Sequence, residues 1–213
     1  MGTPDAATHV DAGQMSSRWS SLVSQSQQPL PHVILQCSPA RDGNDLVFPY
    51  TITNDGPGDI YVSDAFHRVD PATHAVSIDH ALVSIQMEPD NFALIVRGVP
   101  ARTIPVARPM HPLMHRLGPG QKLERELKVP LPLAETSPYQ PYGNVRDYVL
   151  KPIEGVVLAV DWMPASTEGL VATPAVGADD LYTLQATNYL RDMQRVTSRH
   201  PTRGLSMLER IQK

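Results

Sequence analysis

The hydrophobic pattern of this chain alternates. In Gln121-Lys122-Leu123-Glu124-Arg125-Glu126-Leu127-Lys128-Val129 the residues Leu123, Leu127 and Val129 share one side with the stem of Arg125, and Lys122, Glu124, Glu126 and Lys128 share the other. A helix would mix the two sets, so the segment predicts a half-buried antiparallel strand with one wet face. Leu46 to Thr53 repeats the pattern, with Phe48, Tyr50 and Ile52 on one side and Pro49, Thr51 and Thr53 on the other. Pro49 lacks a ladder donor, which places that strand at an edge or a bulge. Val33 to Cys37 predicts a first strand, followed by the turn-like Ser38 to Asn44. The continuous apolar run Val156 to Met163 predicts a central one.

Between these runs stand residues that adopt positive φ or fix a turn. Asn54-Asp55-Gly56-Pro57-Gly58-Asp59 precedes Ile60-Tyr61-Val62. Asp70-Pro71-Ala72-Thr73 predicts a hairpin between Phe66–Val69 and Ala75–Ile78, and Glu88-Pro89-Asp90-Asn91 one between Leu82–Met87 and Phe92–Val96. Gly98 to Gly120 reads as a long loop with a short strand at best, and Pro130 to Pro141 as a second proline-rich loop. The C-terminal region reads as a strand extending into an arm, although Leu181, Leu184, Asn188, Met193 and Val196 are loosely helical in spacing. The expected organisation is a flexible polar N-terminal arm over 1–31, a mainly β immunoglobulin-like antiparallel sandwich over 32–180, and a C-terminal strand or helix arm over 181–213 packed on it.

Composition narrows this further. The 21 prolines in 213 residues exclude a helical bundle and suit a loop-rich β protein. A formal net charge of -4 argues against a general nucleic-acid binder, which carries basic patches to replace phosphate counterions. The single cysteine, Cys37, forbids an intrachain disulfide and a multi-cysteine zinc site, and its apolar neighbours predict an inert buried thiol. No window offers the ~20 apolar residues that span a bilayer. The N-terminus lacks the pattern of a secretory signal, so the chain as written is expected in the cytoplasm, or in the periplasm or outside the cell if a signal peptide has been removed.

The pairing of Tyr50-Thr51-Ile52-Thr53-Asn54-Asp55-Gly56 with a later Leu117-Gly118-Pro119-Gly120-Gln121 before an alternating strand resembles a pattern in bacterial immunoglobulin-like domains. These include domains like the intracellular proteinase inhibitor of bacilli and the adhesion-type repeats of secreted proteins. The likeness covers about half the chain and implies a fold; its motifs mark turns, so it implies no functional residue.

Candidate chemistry is sparse. There is no Gly-x-Ser-x-Gly turn, His-Glu-x-x-His helix, phosphate-binding Gly-rich loop or dinucleotide fingerprint, and no catalytic residue is assigned. Met110-His111-Pro112-Leu113-Met114-His115 places two imidazoles and two thioethers in one segment, donors suited to copper, with zinc as a second choice. The bland alternative packs Met110, Leu113 and Met114 inward and leaves His111 and His115 in solvent. His67, His74 and His80 are a weaker set across the second hairpin. Asp161 beside Trp162 is an acid in an apolar run, or a strand-end acid reaching solvent. Tyr139 and Tyr142 in the proline-rich loop, and Trp19 in the N-terminal arm, are candidate partner contacts. Together these predict a non-enzymatic module that binds another protein or itself through loops and terminal arms, with copper or zinc binding as the alternative.

Overall fold

The computed structural model describes residues 32–70, 72–99, 110–139, 148–178 and 180–211. The chain divides into two units between Leu30 and Pro31, and the second is described below. Strands make up 64% of the described residues and helix 2%, so the protein is mainly β. In chain order the strands are β1 (Val33–Cys37), β2 (Ala40–Asp42), β3 (Asp45–Asn54), β4 (Ile60–Val69), β5 (Val76–Asp79), β6 (Ser84–Met87), β7 (Phe92–Arg97), β8 (Leu113–Leu117), β9 (Lys122–Pro130), β10 (Leu133–Ala134), β11 (Tyr148–Pro164), β12 (Val171–Pro174) and β13 (Leu181–Gln185). A short helix, α1 (Tyr189–Asp192), and a long strand, β14 (Gln194–Arg210), follow.

Strand β3 is the middle of the first sheet. Along one side it pairs with β9, from Asp45↔Pro130 to Thr53↔Lys122. Its other side is shared end to end by β2, opposite Asp45–Val47, and β1, opposite Tyr50–Asn54. Pro49 therefore lies in a central strand, and the expected edge is not found. The Pro49 carbonyl accepts from Ser38 N at 3.2 Å on the side where β1 and β2 leave a gap. The ring's missing donor faces that gap, where no ladder bond is lost.

The second sheet is built around β11. Strand β14 runs antiparallel along one side of it, from Tyr148↔Arg210 to Trp162↔Gln194. The opposite side changes partner: residues 155–160 pair in parallel with β7, and Trp162–Pro164 pair antiparallel with β4. Beyond β4 the order continues through β8 and β13 to β12. β6 flanks β7, β5 extends the far end of β4, and β10 meets β14 at Met207 and Leu208.

One apolar core takes side chains from both sheets. Leu35, Phe48, Ile52, Leu123, Leu127 and Val129 from the first meet Ile60, Val62, Ile95, Leu117, Leu158 and Trp162 from the second. Burying each large aliphatic or aromatic side chain here contributes about 1.5–3 kcal/mol, which is what selects the register. Phe48, Tyr50 and Ile52 face inward as their period of two predicts, as do Leu123, Leu127 and Val129. A second cluster of Tyr61, Met114, Met163, Leu184 and Tyr189 lies on the outer side of β4, β8 and β11.

The two turn motifs noted in the sequence meet at one end. Asn54 is fully buried, and its Nδ2 donates to Gly58 O at 2.8 Å and to Leu117 O at 3.0 Å, while its Oδ1 accepts from Gly56 N at 3.1 Å. Its main chain bonds the second motif as well, since Gly120 N donates to Asn54 O at 2.7 Å and Asn54 N donates to Gln121 O at 3.0 Å. Gly120, at φ +73, supplies the left-handed conformation this turn requires.

Three segments differ from expectation. The Ser38–Asn44 turn contains β2, folded back on β3 around Gly43 at φ +58. The proline-rich stretch after Val129 carries β10, and Thr136 bridges to Ile85. Most of the C-terminal region is strand, as expected, but β14 is an integral member of the second sheet and not an arm; of the helically spaced residues Leu181 and Leu184 lie in β13, Val196 lies in β14, and none lies within α1.

Candidate functional site

Position 125 breaks the apolar inner face of the first sheet. The registers align Cys37, Tyr50 and Arg125 across β1, β3 and β9, so all three project from the same face. Opposite them the second sheet presents Asp64 and Arg97, both buried. Arg125 grips Asp64 with both arms of its guanidinium, Nε to Oδ1 and Nη2 to Oδ2, each at 2.8 Å. Arg97 Nη2 lies 3.7 Å from Asp64 Oδ1 and donates to the Asp64 backbone carbonyl. His80 Nδ1 stands 3.7 Å from Asp64 Oδ2 at the exposed end. The Arg97 guanidinium also sits 5.8 Å from the centre of the Tyr50 ring.

The second sheet's geometry explains why charges occur here. Ser63 opposes Met114 and Ala65 opposes Leu113, so Asp64 is the additional residue of a bulge where β4 leaves β11. Strand β7 ends beside it, with Arg97 opposite Val160. The two strands meet head to head, and Arg97 satisfies a carbonyl that the bulge frees from the ladder. Burial raises the Asp64 pKa, but the hydrogen bonds and charge of Arg125, then the charges of Arg97 and His80, outweigh it and hold the carboxyl below its ordinary range. Burial raises Tyr50 to about 12, against a smaller opposing effect of Arg97, and its hydroxyl has no hydrogen-bond partner among the described residues.

Asp161 braces the same junction on the opposite face. It stands near the C-terminal end of β11 but is only 2% exposed, so it is not an acid reaching solvent. Arg195 binds it through Nε at 2.6 Å and Nη2 at 3.1 Å, and Val99 N donates to Oδ2 at 2.8 Å. Gly98 must be glycine, because a Cβ there would lie 2.2 Å from Asp161 Oδ2. Both buried carboxylates thus bind arginine through two hydrogen bonds and hold strands together. Such bidentate, charge-assisted bonds are stronger and more directional than neutral ones, and they fix each carboxylate between strands.

A groove of about 780 Å³ is lined by residues from β1, β3 and β9 together with Ser198 of β14. Cys37 lies in it, half-buried, with its thiol raised to about 11 by burial against a smaller lowering by a Ser38 backbone hydrogen bond. At such a value the thiolate, the reactive form, is scarce at neutral pH.

The Met/His segment is divided by β8. Met114 is fully buried in the outer cluster, and His115, the next residue along the strand, points to the other side, where Nδ1 lies 3.3 Å from Asp180 Oδ2. His111 is exposed, with its ring 4.3 Å from that of Tyr189. Met110 N donates to Tyr139 Oη at 2.8 Å, which joins one candidate metal residue to one candidate contact residue. Tyr142 and Trp19 lie outside the described residues. Of the other histidines, His67 is opposite Ile78, His74 occupies a turn at φ 57 and His80 attends Asp64. Among the described residues no group of three or more His, Cys, Asp or Glu side chains is placed to hold a metal ion.

Asp64 and Arg97 escaped the sequence reading. Asp64 had a signal, an acid within the apolar run Ile60 to Phe66. Arg97, at the end of Phe92-Ala93-Leu94-Ile95-Val96, looks like an ordinary exit to solvent. Comparison of the chain with protein-family models, curated proteins and solved structures finds no match.

Proposed function

We propose that this chain is a non-enzymatic binding or assembly module on an immunoglobulin-like β-sandwich, and that it engages another protein or a second copy of itself. The observation that carries this reading is the edge of β14. Among the described residues, β14 pairs with β11 along its length and with β10 only at Met207 and Leu208, so Gln194 to Gly204 offer an unpaired edge. The 17 residues of this strand far exceed the usual ~5–6, and a long open edge accepts an extended partner strand through its free main-chain groups. The two buried acids support the same reading, because each is engaged by arginine in bracing the scaffold.

Size-exclusion chromatography with light scattering, and a pull-down from native lysate, test it. In addition, Thr197→Pro and Ser198→Pro remove neighbouring main-chain donors, one of which faces away from β11. The expected result is a dimer or captured partner that the outward-facing proline abolishes while the monomer's circular dichroism stays unchanged. A strict monomer that captures nothing would sink the proposal.

A further inference from the structure

We propose that a cavity beside the β4–β5 hairpin binds a small amphipathic carboxylate, an acid with a straight apolar tail. This inference does not depend on pairing at the β14 edge. The cavity measures about 520 Å³, within the ~300–1,000 Å³ range of small-molecule sites. Leu82, Val83, Met110 and Pro138 give it an apolar wall suited to a hydrocarbon chain. The bond from Met110 N to Tyr139 Oη fixes two sides of that wall to each other.

The polar groups determine the charge of the head. Asp79 lines the cavity, but its Oδ1 is occupied by Ala81 N at 2.8 Å and Leu82 N at 3.1 Å. Its other oxygen lies 3.5 Å from Arg68 Nη1, a charge contact without hydrogen-bond geometry. The Arg68 side chain is 74% exposed, so its planar donors stand at the mouth, where a carboxylate accepts them. His67 lines the same cavity, and its Nε2 is shielded from solvent with no hydrogen-bond partner among the described residues. A ligand oxygen would relieve that unmet polar atom. A cationic head would instead meet Arg68, while an uncharged head would lose the charge-assisted bond.

The test is calorimetric titration of the full chain with decanoate, decanol and decylammonium below their micelle-forming concentrations. Decanoate is expected to saturate a single site, decanol to bind roughly ten-fold more weakly, and decylammonium not to bind. Arg68→Gln, at an exposed position, should reduce decanoate to the affinity of decanol. Val83→Asp should abolish both, with circular dichroism checking that this variant is folded; if it is not, Met110→Asp replaces it. Absence of saturable decanoate binding, equal binding of decylammonium, or an unchanged affinity in Arg68→Gln would each overturn the proposal.

Discussion

Asp64 shows how much one side chain carries at the residue scale. Its carboxylate is removed from water, and the bidentate bond to Arg125 with the neighbouring Arg97 is what makes that tolerable. Asp64→Asn keeps the shape but leaves two guanidinium groups facing a neutral amide, so it should cost about 3–5 kcal/mol in urea unfolding. Because the folded pKa is depressed, the stabilisation is complete at neutral pH and is lost as pH falls below about 4, the ordinary value of an unfolded aspartate. Denaturation midpoints measured from pH 7 to pH 2 should therefore fall less steeply in Asp64→Asn than in the parent; parallel curves would show that Asp64 is not the group responsible. Cys37 makes the opposite point. With its thiol near 11 it should react with a disulfide reagent at pH 8 at least ~10-fold more slowly than a free cysteine of ordinary pKa, about 8.5, and a fast reaction would contradict its burial.

Elements here are joined by a few non-exchangeable residues. Asn54 ties the turn after β3 to the turn before β9, and its amide satisfies two carbonyls at once. Asn54→Ala strands both, and a loss of about 2–4 kcal/mol is expected in thermal or urea unfolding. Gly98→Ala forces a methyl against Asp161 and should cost about 1–3 kcal/mol, whereas Gly58→Ala, where nothing lies within 4 Å, should change stability by less than about 0.5 kcal/mol. Equal effects of the two glycine substitutions would mean that Asp161 can move aside. Strands β3 and β9 were legible in the sequence because each has one wet and one dry face, so their alternation is a direct consequence of burial. Strand β14 was not. Its residues Arg195, Ser198, Arg199, His200, Thr202 and Arg203 are polar on both faces, since its wet edge and its ion pairs to Asp161 and Asp90 replace apolar packing.

At the scale of the whole molecule, the junction where β11 exchanges β7 for β4 is clamped by two charge networks on opposite faces. Arg97 serves the inner one, while Gly98 and Val99 meet Asp161 in the outer one, so three consecutive residues connect them. Asp64→Asn and Asp161→Asn should therefore be non-additive, with a coupling of at least about 0.5 kcal/mol in a double-mutant cycle. Strict additivity would show that the two faces relax independently.

The sequence by itself determined that the protein is mainly β, which faces of β3 and β9 turn inward, and where the tight turns fall, because period-two burial and positive φ are local properties. It also placed Arg125 on the inner face without revealing why a cation should stand there. Only the tertiary structure decided that, by bringing Asp64 and Arg97 across from another sheet through a bulge and a change of strand partner. Pairing between residues some 30 to 60 positions apart leaves no periodic trace in a single chain, and so the molecule's most consequential contacts were the ones its sequence could not display.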